Sequence, residues 1–500
     1  MRLSRVRRRL PGLLVAAMLL VTLVVAIAEA RPGGGEGYGG GSSGGSGGGG
    51  GGGGDGTIII QLIWLCIEYP AIGIPLVIIV GIVALIRARA EKSQKAWATS
   101  AAGVPQVATT MRAATGVSRA QLDQLRAADP AFSNVLFEDL VYNLYAELQK
   151  ARAQGTAALA PYLTPQLAQS LVDPRLADVH GVIIGAMRIT ELVGVNGPSV
   201  HVTLEFEANY VEIGRDGSQH RYYVVDRMRV FRAGNARSRP PERVGVLDCP
   251  NCGASIENVR GTHCSYCHEE VGGGRFDWTV EQLYTLKKEP RGPFLTSDTP
   301  EVGTDQPTRV DPGANMRFDA LRARDPAFDW NTFQSRINVV FHKLQAGWSG
   351  REPATIRPFV SDNLFQSMMY WIDLYKQSRC RNVNENARIL RIDLANVLSD
   401  ATYDAITVRV FATGLDYTIS DDGQIMSGSR SRERTYSEYW TLIRGARPKG
   451  PSKGDLACPN CGAELNVSMV GNCAYCGAKV TTGEFDWVLS RIEQDESYTG

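Results

Sequence analysis

The sequence predicts an α+β fold in which one unit of helices followed by strands occurs twice in tandem, and three observations lead to this prediction. The residues Asp-Pro-Ala-Phe occur at 129–132 and again at 325–328. Each occurrence precedes a stretch with helical spacing and then residues that alternate between apolar and polar. A cluster of cysteines follows near the end of each unit.

The composition sets limits on the class of protein. A chain of 500 residues is too long for a single hydrophobic core. Because 53 Lys and Arg balance 52 Asp and Glu, no overall charge favours nucleic acid or a membrane surface. Cys66 and Cys380 are isolated, and the other cysteines lie in the two clusters. Their spacing, not their number, therefore indicates their role.

The N-terminal residues 1–30 have the features of an export signal: a basic start, an apolar run and a small-residue site at Ala28-Glu-Ala30. The alternative is an uncleaved first membrane helix, since the apolar run approaches the roughly 18-residue minimum for crossing a bilayer. Residues 31–56 are almost entirely glycine and serine and are predicted to be a flexible segment.

Residues 57–86 form a second apolar run and are predicted to be a transmembrane helix, because about 20 residues span the hydrocarbon core. Glu68 lies within this run, and no role is assigned to it. The run is followed by the basic residues Arg87, Arg89, Lys92 and Lys95. The positive-inside rule therefore places the remaining chain on the cytoplasmic side, after one membrane crossing, or two if the signal is retained.

The repeated units begin after a linker at 87–118. The first unit is predicted at 119–289 and the second at 317–496, with a proline-rich linker at 290–316 between them. The first helix of each unit has apolar residues at core spacing. These are Phe137, Leu140, Val141, Leu144 and Leu148 in the first unit, and Phe333, Ile337, Val340, Phe341 and Leu344 in the second.

A second helix is followed in each unit by strands, which the period-two pattern predicts to have one buried face. The alternating apolar residues are Val200, Val202, Leu204, Phe206 and Ala208, and Ile406, Val408, Val410 and Ala412. A further strand ends at Arg232 in the first unit and at Arg444 in the second. After each cysteine cluster, the motif Phe-Asp-Trp at 276–278 and 485–487 marks the last strand.

This order of elements, with Asp-Pro-Ala-Phe, the segment Pro161-Tyr-Leu-Thr-Pro165 and the strand Glu438-x-Trp440-Thr-Leu442-x-Arg444, resembles the C-terminal domain of the mitochondrial inner-membrane translocase subunit Tim44. Bacterial Tim44-like proteins combine this domain with a zinc ribbon and a membrane segment. The resemblance implies two tandem cone-shaped domains, similar to the nuclear-transport-factor type, each with an apolar pocket and without enzymatic activity. It also implies location at the bacterial cell membrane, with membrane lipid and a translocating or membrane protein as partners.

The sequence departs from the family pattern in two respects. The first unit has Met228 where the second has Trp440. The helical segments that recruit a chaperone in the mitochondrial protein have no recognisable match. The resemblance therefore supports a binding or transport module and does not extend to recruitment of a motor.

The two cysteine clusters are the strongest chemical signal in the chain. Each contains paired Cys-x-x-Cys knuckles, within 249–267 and within 458–476. Four thiolates close a tetrahedral shell, so this spacing predicts one structural zinc ion per cluster. Two disulfides or a redox pair are the alternatives, but a cytoplasmic compartment keeps thiols reduced. The predicted ligands are Cys249, Cys252, Cys264 and Cys267, and Cys458, Cys461, Cys473 and Cys476.

Two histidines flank the first cluster and are interpreted as bystanders. They are His263 and His268, and the second cluster has Asn472 and Gly477 at the same places. A catalytic zinc site would keep an open position and usually a histidine ligand, whereas four cysteines fill the shell.

The search for an enzyme finds no G-x-S-x-G, H-E-x-x-H or phosphate-loop motif. Cys380 lacks a recognisable basic partner, which favours a buried structural thiol. Asp129 and Asp325 precede proline and are interpreted as turn and helix-entry residues. The other repeated residues are interpreted as structural, namely Asp277, Asp486, Trp278 and Trp487, the tryptophans as sheet and core anchors.

The function predicted on these grounds is a non-catalytic binding or transport-associated module at the membrane that binds a lipid or a hydrophobic peptide. The sequence does not identify the residues that bind this ligand. A scaffold for membrane-protein assembly and an enzyme that uses the pocket of this fold are the alternatives. Nucleic acid is not expected, because the first ribbon carries Glu257, Glu269 and Glu270 in place of a basic stripe.

Overall fold

A computed structural model gives the fold for most of the chain after residue 121. The described residues are 122–238, 248–290, 303–447, 450–452, 456–495, 498 and 500. The predicted export signal, glycine-rich segment, transmembrane helix and first linker lie outside them, as does Cys66. Within the described residues, every helix is too short or too polar to cross a bilayer.

The first unit begins with helices. They are α1 (Asp123–Ala128), α2 (Asn134–Gln154), a 3₁₀ turn (Ala157–Tyr162) and α3 (Pro165–Leu171). Helix α2 begins after Ser133, whose hydroxyl accepts a hydrogen bond from the N–H of Leu136. The five apolar positions predicted for its core face are buried, which confirms this helix and its orientation. The sequence did not predict α1.

A four-stranded antiparallel sheet completes the first unit, in the order β1-β2-β3-β6. Its strands are β1 (Leu176–Val193), β2 (Ser199–Gly214), β3 (Gln219–Ala233) and β6 (Thr279–Glu289). Between β3 and β6 lies the first cysteine cluster, with the two-residue strands β4 (Val259–Arg260) and β5 (His263–Cys264). Because β3 pairs directly with β6, the cluster is an insertion between two neighbouring strands, as predicted.

The second unit repeats this order, with longer first and last helices. Its helices are α4 (Ala314–Arg324), α5 (Trp330–Gly350), α6 (Pro353–Ile356), a 3₁₀ turn (Arg357–Phe359) and α7 (Asp362–Gln377). Its strands are β7 (Cys380–Ser399), β8 (Tyr403–Ser420), β9 (Ile425–Gly428), β10 (Arg434–Gly445) and β11 (Val488–Gln494). They form an antiparallel sheet in the order β7-β8-β10-β11, with β9 paired to β8.

Each unit has its own hydrophobic core, in which the long helix α2 or α5 packs against one face of the sheet. The alternating apolar residues predicted for the strands belong to these cores. The first unit has Met228 where the second unit has Trp440, and both side chains belong to these cores. Met228 and Trp440 are both buried, and the rings of Tyr145 and Phe206 stack 4.4 Å apart in the first core.

The prediction that the strands have one buried face is wrong for both sheets. In the first unit the polar face is also covered, because Glu207 is buried in an ion pair with Arg188, at 2.6 Å. In the second unit Arg409 is buried on the face opposite the core, where its guanidinium donates to the carbonyls of Gly303 and Gln306. These polar side chains are buried because an ion pair or a chain segment remote in sequence supplies their hydrogen-bonding partners. The alternation of apolar and polar residues therefore does not predict their burial.

The segment 303–311 corrects the predicted linker at 290–316. It lies on the outer face of the second sheet, where the N–H of Arg309 donates to the hydroxyl of Tyr439 over 2.8 Å. The Thr308 hydroxyl donates to Asp393 over 2.7 Å. Helix α4 begins at Ala314, before the predicted start of the second unit at residue 317. The absence of a periodic pattern in this segment therefore does not mean that it is separate from the fold.

Candidate metal centres

The structure brings the eight predicted cysteines together in two groups of four. Within each group, all four sulfur atoms lie within 4.8 Å of one another. The Sγ–Sγ distance is 3.9 Å for Cys249–Cys267 and for Cys458–Cys476. Disulfide sulfurs lie about 2.05 Å apart, so these are not disulfides. A tetrahedron with metal–sulfur bonds of about 2.3 Å has edges of about 3.8 Å, and each group therefore has the dimensions to hold one metal ion.

Each knuckle is a tight turn that directs backbone groups toward the sulfurs. In the first cluster the N–H of Gly253 donates to the carbonyl of Cys249 over 3.0 Å, and Gly253 has φ of 75°. In the second cluster Gly462 makes the same bond to Cys458, with φ of 76°. Because a side chain is strained at positive φ, glycine at this place follows from the turn itself.

The histidine next to the first cluster has a backbone role. His268 has φ of 61°, and Gly477, at the same place in the second knuckle, has φ of 72°. Both residues continue the turn after the last cysteine, and each N–H donates to a cysteine carbonyl over 2.9 Å. Neither His263 nor His268 contributes to the group of four sulfurs, which agrees with their interpretation as bystanders.

The electrostatics of the thiols differ between positions in the knuckles. Burial raises the pKa of the Cys249 thiol to about 12, although the N–H groups of Cys252 and Asn251 oppose this effect. The N–H of Ala478 and the side-chain amide of Asn460 lower the pKa of the Cys476 thiol to about 6. A thiolate at one position is therefore stabilised by the protein itself, and a bound dication would favour the thiolate form at all four.

A buried arginine attaches the second cluster to its unit. Arg357 is 1% exposed, and its Nε donates to the carbonyl of Met469 in the cluster loop over 2.8 Å. Its Nη1 donates to the carbonyl of Val360 over 3.1 Å, and Nη2 pairs with Asp362 at the start of α7. A Cβ at Gly471 would lie 2.6 Å from Nη2, so the loop approaches the guanidinium too closely for a side chain there. The sequence reasoning missed Arg357, because its partner in the cluster loop, Met469, lies 112 residues away.

The first cluster is attached by different contacts. The hydroxyl of Tyr162 donates to the carbonyl of Asp248, next to the first cysteine. Ile256 packs against the core of the first unit. Alignment of Pro161 with Pro358 puts Ala160 at the position of Arg357, so the first unit lacks the equivalent guanidinium. The two clusters therefore share their internal geometry and differ in how they are held.

The Asp-Pro-Ala-Phe motifs form the predicted turns, since the carbonyls of Asp129 and Asp325 accept from the N–H groups of Phe132 and Phe328 over 2.9 Å. Their side chains have a second role that the sequence did not indicate. Asp129 and Asp325 are not the helix caps, since Ser133 and Asp329 accept the capping hydrogen bonds of α2 and α5. They are buried acids, each 2.9 Å from the guanidinium of the arginine that ends the third long strand of its sheet. The pairs are Asp129–Arg232 and Asp325–Arg444. The interpretation as turn residues is therefore confirmed, and the interpretation as helix-entry residues is corrected.

The Phe-Asp-Trp motifs are structural, as predicted. Trp278 and Trp487 are buried, and their rings lie 4.9 Å from Phe137 and 5.0 Å from Phe333. The acid in each motif accepts a hydrogen bond from the N–H of the tryptophan that follows it, over 2.8 Å for Asp277 and 2.7 Å for Asp486.

The isolated cysteine of the second unit also agrees with its interpretation as a structural thiol. Cys380 is 2% exposed at the start of β7. Burial raises the pKa of its thiol, with the nearby charge of Arg351 acting in the opposite direction. A buried, protonated thiol is a poor nucleophile.

A cleft of about 160 Å³ opens between the two units. It is lined by α2 and β1 of the first unit and by α7 and β11 of the second. The resemblance implied one apolar pocket inside each cone-shaped unit, whereas this cleft requires both units.

Comparison with known proteins bears on the second unit. Residues 314–452 match the family of the Tim44-like domain. The match begins at the first residue of α4 and ends before Cys458, so it covers the helices and the sheet up to β10. A search of curated proteins found no match to this chain.

Proposed function

We propose that this protein is a membrane-tethered, non-catalytic module that binds an apolar ligand, or a translocating or membrane protein, next to the bilayer. The observation that carries the proposal is the match of residues 314–452 to the Tim44-like domain. The predicted transmembrane helix at 57–86 would hold this domain near the membrane, which raises its effective concentration toward membrane-borne partners.

The proposal includes a second Tim44-like unit at 119–289. Three features support it. The two sheets have the same strand order, each long helix follows Asp-Pro-Ala-Phe, and each unit carries a buried Asp–Arg pair beside a tryptophan. Shared buried polar contacts at equivalent places are a stronger sign of duplication than shared helix or strand periodicity, since periodicity recurs in unrelated proteins.

The proposal also assigns one structural zinc ion to each cysteine cluster. Tetrahedral sites with four sulfur ligands hold zinc or iron in proteins. Four cysteines leave no open coordination position for substrate, so the ion would stabilise the fold and would not act in catalysis. The donor set and the sulfur separations of 3.9 to 4.0 Å fit this role.

Photo-crosslinking in membranes tests the proposed function. A benzophenone amino acid at Tyr284, which is 44% exposed on the first unit, and at Leu390, which is 54% exposed on the second, would report what each unit contacts. We expect recovery of a defined membrane protein or lipid. Adducts that only mirror the abundance of soluble proteins would contradict the proposal.

A further inference from the structure

Three contacts join the two units at the cleft. The side-chain amide of Asn363 donates to the carboxylate of Asp139 over 2.7 Å. Arg491 forms an ion pair with Glu138. The ring of Tyr370 approaches the backbone at 181, where a Cβ would lie 3.0 Å from it and where φ is +61°. A glycine at 181 therefore permits this contact, and the units meet through specific interactions.

The cleft lies beside two edge strands. Strand β1 ends the first sheet, so among the described residues it has one edge without a partner strand in its sheet. Strand β11 ends the second sheet, but Leu489 on its outer edge bridges Val360 and accepts from the N–H of Ser361 over 2.9 Å. The pairing of β1 with β2 is interrupted between His180 and Ile183 and again between Ile184 and Ala186. Residues 182–187 line the cleft. Such bulges are common next to functional sites, and free strand edges can pair with an extended peptide.

The size and walls of the cleft limit what it can hold. An engineered cavity of about 150 Å³ accommodates one benzene, whereas drug-sized ligands occupy about 300 to 1,000 Å³. A space of about 160 Å³ therefore suits one large side chain and is too small for a complete lipid tail. Its walls combine polar side chains with apolar ones, and the apolar ones include two adaptable methionines. The apolar part of the wall is formed mainly by Tyr142, Val182, Met187, Leu364, Met368 and Trp371.

The charges around the cleft favour a cation. Asp139 and Glu493 line it, and its one lining cation among the described residues, Arg491, pairs with Glu138 and lies 3.8 Å from Glu493. Three carboxyl groups therefore surround one cation. Burial and the neighbouring Glu138 raise the pKa of Asp139 to about 7, against the smaller effects of Arg491 and Asn363. An ammonium or guanidinium group brought next to Asp139 would favour its charged form.

We propose that the interdomain cleft is a docking site for an extended peptide segment of a partner protein, and that it takes one large apolar side chain with a Lys or Arg next to it. This inference rests on the proposed binding function and names its site and the chemistry of its partner. The apolar side chains and the volume of the cleft select the anchoring side chain, the acidic rim selects its basic neighbour, and the edge of β1 favours an extended backbone.

Binding of defined peptides to the full chain in phosphatidylcholine nanodiscs tests this inference. The probe is a fluorescein-labelled nonapeptide of Gly and Ser with a central Trp-Lys pair, followed by fluorescence anisotropy. Matched peptides carry Trp-Glu or Ala-Lys instead. We expect the Trp-Lys peptide to bind at least 10-fold more tightly than either. Equal affinity for all three peptides, or binding of none of them, would overturn the inference.

Two variants locate the site. Ala146 lines the cleft on α2, so Ala146→Trp should fill it and weaken binding at least 10-fold, whereas Ala158→Trp, at an exposed position outside the lining, should not. Asp139→Asn should reduce the preference for Lys over Glu, whereas Glu147→Gln on the same helix should leave it unchanged. Metal content must match the wild type and the thermal unfolding midpoint must not fall below that of the wild type, which separates loss of the site from loss of the fold.

The remaining outcomes distinguish this inference from the proposed function. A phospholipid retained by the wild type and lost from Ala146→Trp would assign the cleft to lipid and overturn the peptide proposal. A membrane protein that crosslinks equally well to the wild type and to Ala146→Trp would leave the proposed function in place and remove the cleft from it.

Discussion

The guanidinium carbon of Arg444 lies 4.6 Å from the ring centre of Trp487, and the same guanidinium pairs with Asp325. In the first unit Arg232 lies 4.8 Å from the ring centre of Trp278. Each arginine thus joins the start of its unit to the residue before the last strand. A buried charge needs such partners, because desolvation of an unpaired ion costs several kcal/mol.

Loss of this pair should destabilise the second unit strongly. We expect Asp325→Ala to reduce the free energy of unfolding by about 3 to 5 kcal/mol, because it leaves the Arg444 guanidinium buried and unpaired. Urea denaturation followed by tryptophan fluorescence would measure it. The control is Glu433→Ala at the exposed pair with Arg388, which should cause a much smaller loss because water screens an exposed ion pair. Similar losses in the two variants would contradict the assigned role of Asp325.

The purified chain should contain two zinc ions, one for each group of four cysteines. Elemental analysis by mass spectrometry would measure the zinc content per chain. Cys249→Ser should reduce it to one, since the first cluster would retain only three thiolates. A content of one or none in the wild type, or iron in place of zinc, would contradict the assignment.

The variant Cys249→Ser should unfold mainly the first unit, because each cluster lies within one unit and structural zinc contributes to the free energy of folding. Limited proteolysis would show cleavage within 122–290 while fragments of the second unit persist. The matched variant Cys458→Ser should give the reverse pattern. Simultaneous loss of both units in either variant would mean that their stabilities are coupled.

Replacement of Arg357 should release the second cluster loop from its unit. We expect Arg357→Ala to accelerate removal of zinc from the second cluster by a chromogenic chelator at least 10-fold, because the loop loses the hydrogen bond to Met469. The measurement is made in the Cys249→Ser background so that only one site is observed. Arg388→Ala, at an exposed arginine, is the control, and equal rates in the two variants would argue against this anchor.

The stability of the chain should depend on the ionisation of Asp139. The pKa of this carboxyl is raised from 3.8 to about 7, first by burial and then by Glu138, with Arg491 opposing. The folded chain therefore binds more protons than the unfolded chain between about pH 4 and 7, and stability falls as the pH rises through this range. Asp362 and Tyr403 also interact electrostatically with Asp139.

Asp139→Asn should remove this contribution, since an asparagine oxygen still accepts from Asn363 and carries no charge. We expect the variant to be more stable than the wild type at pH 8, by on the order of 2 kcal/mol, and to lose the advantage at pH 4. Thermal unfolding at both values would measure it, with Glu147→Gln as the control. Parallel pH profiles for Asp139→Asn and the wild type would contradict the assignment.

The repeated units should face the cytoplasm, because basic residues follow the predicted transmembrane helix and zinc sites need reduced thiols. A reporter enzyme that is active only in the exported compartment, fused after Gly500, should be silent, whereas the same enzyme fused after an established export signal should be active. Activity of the fusion to this chain would contradict both the topology and the argument for zinc over disulfides.

The sequence by itself determined the local features of this protein. The spacing of Phe137 and Leu144 predicted a helix, the alternation from Val200 to Ala208 predicted a strand, and the repeated Cys-x-x-Cys pairs identified all eight candidate ligands. These features depend on neighbours a few residues away, so their periods can be read along the chain. The repeated motifs likewise predicted two units, because Asp-Pro-Ala-Phe and Phe-Asp-Trp each recur in the same order along the chain.

Only the tertiary structure decided which distant residues meet. The sequence offered no reason to join Asp129 with Arg232 or Arg357 with Met469, and it left the cleft beside Asp139 undetected. Burial of a polar side chain depends on partners brought by other elements, which is also why the outer strand faces and the segment 303–311 were interpreted incorrectly. Long-range ion pairs and contacts between units carry no local period, since they arise only when the folded elements pack together.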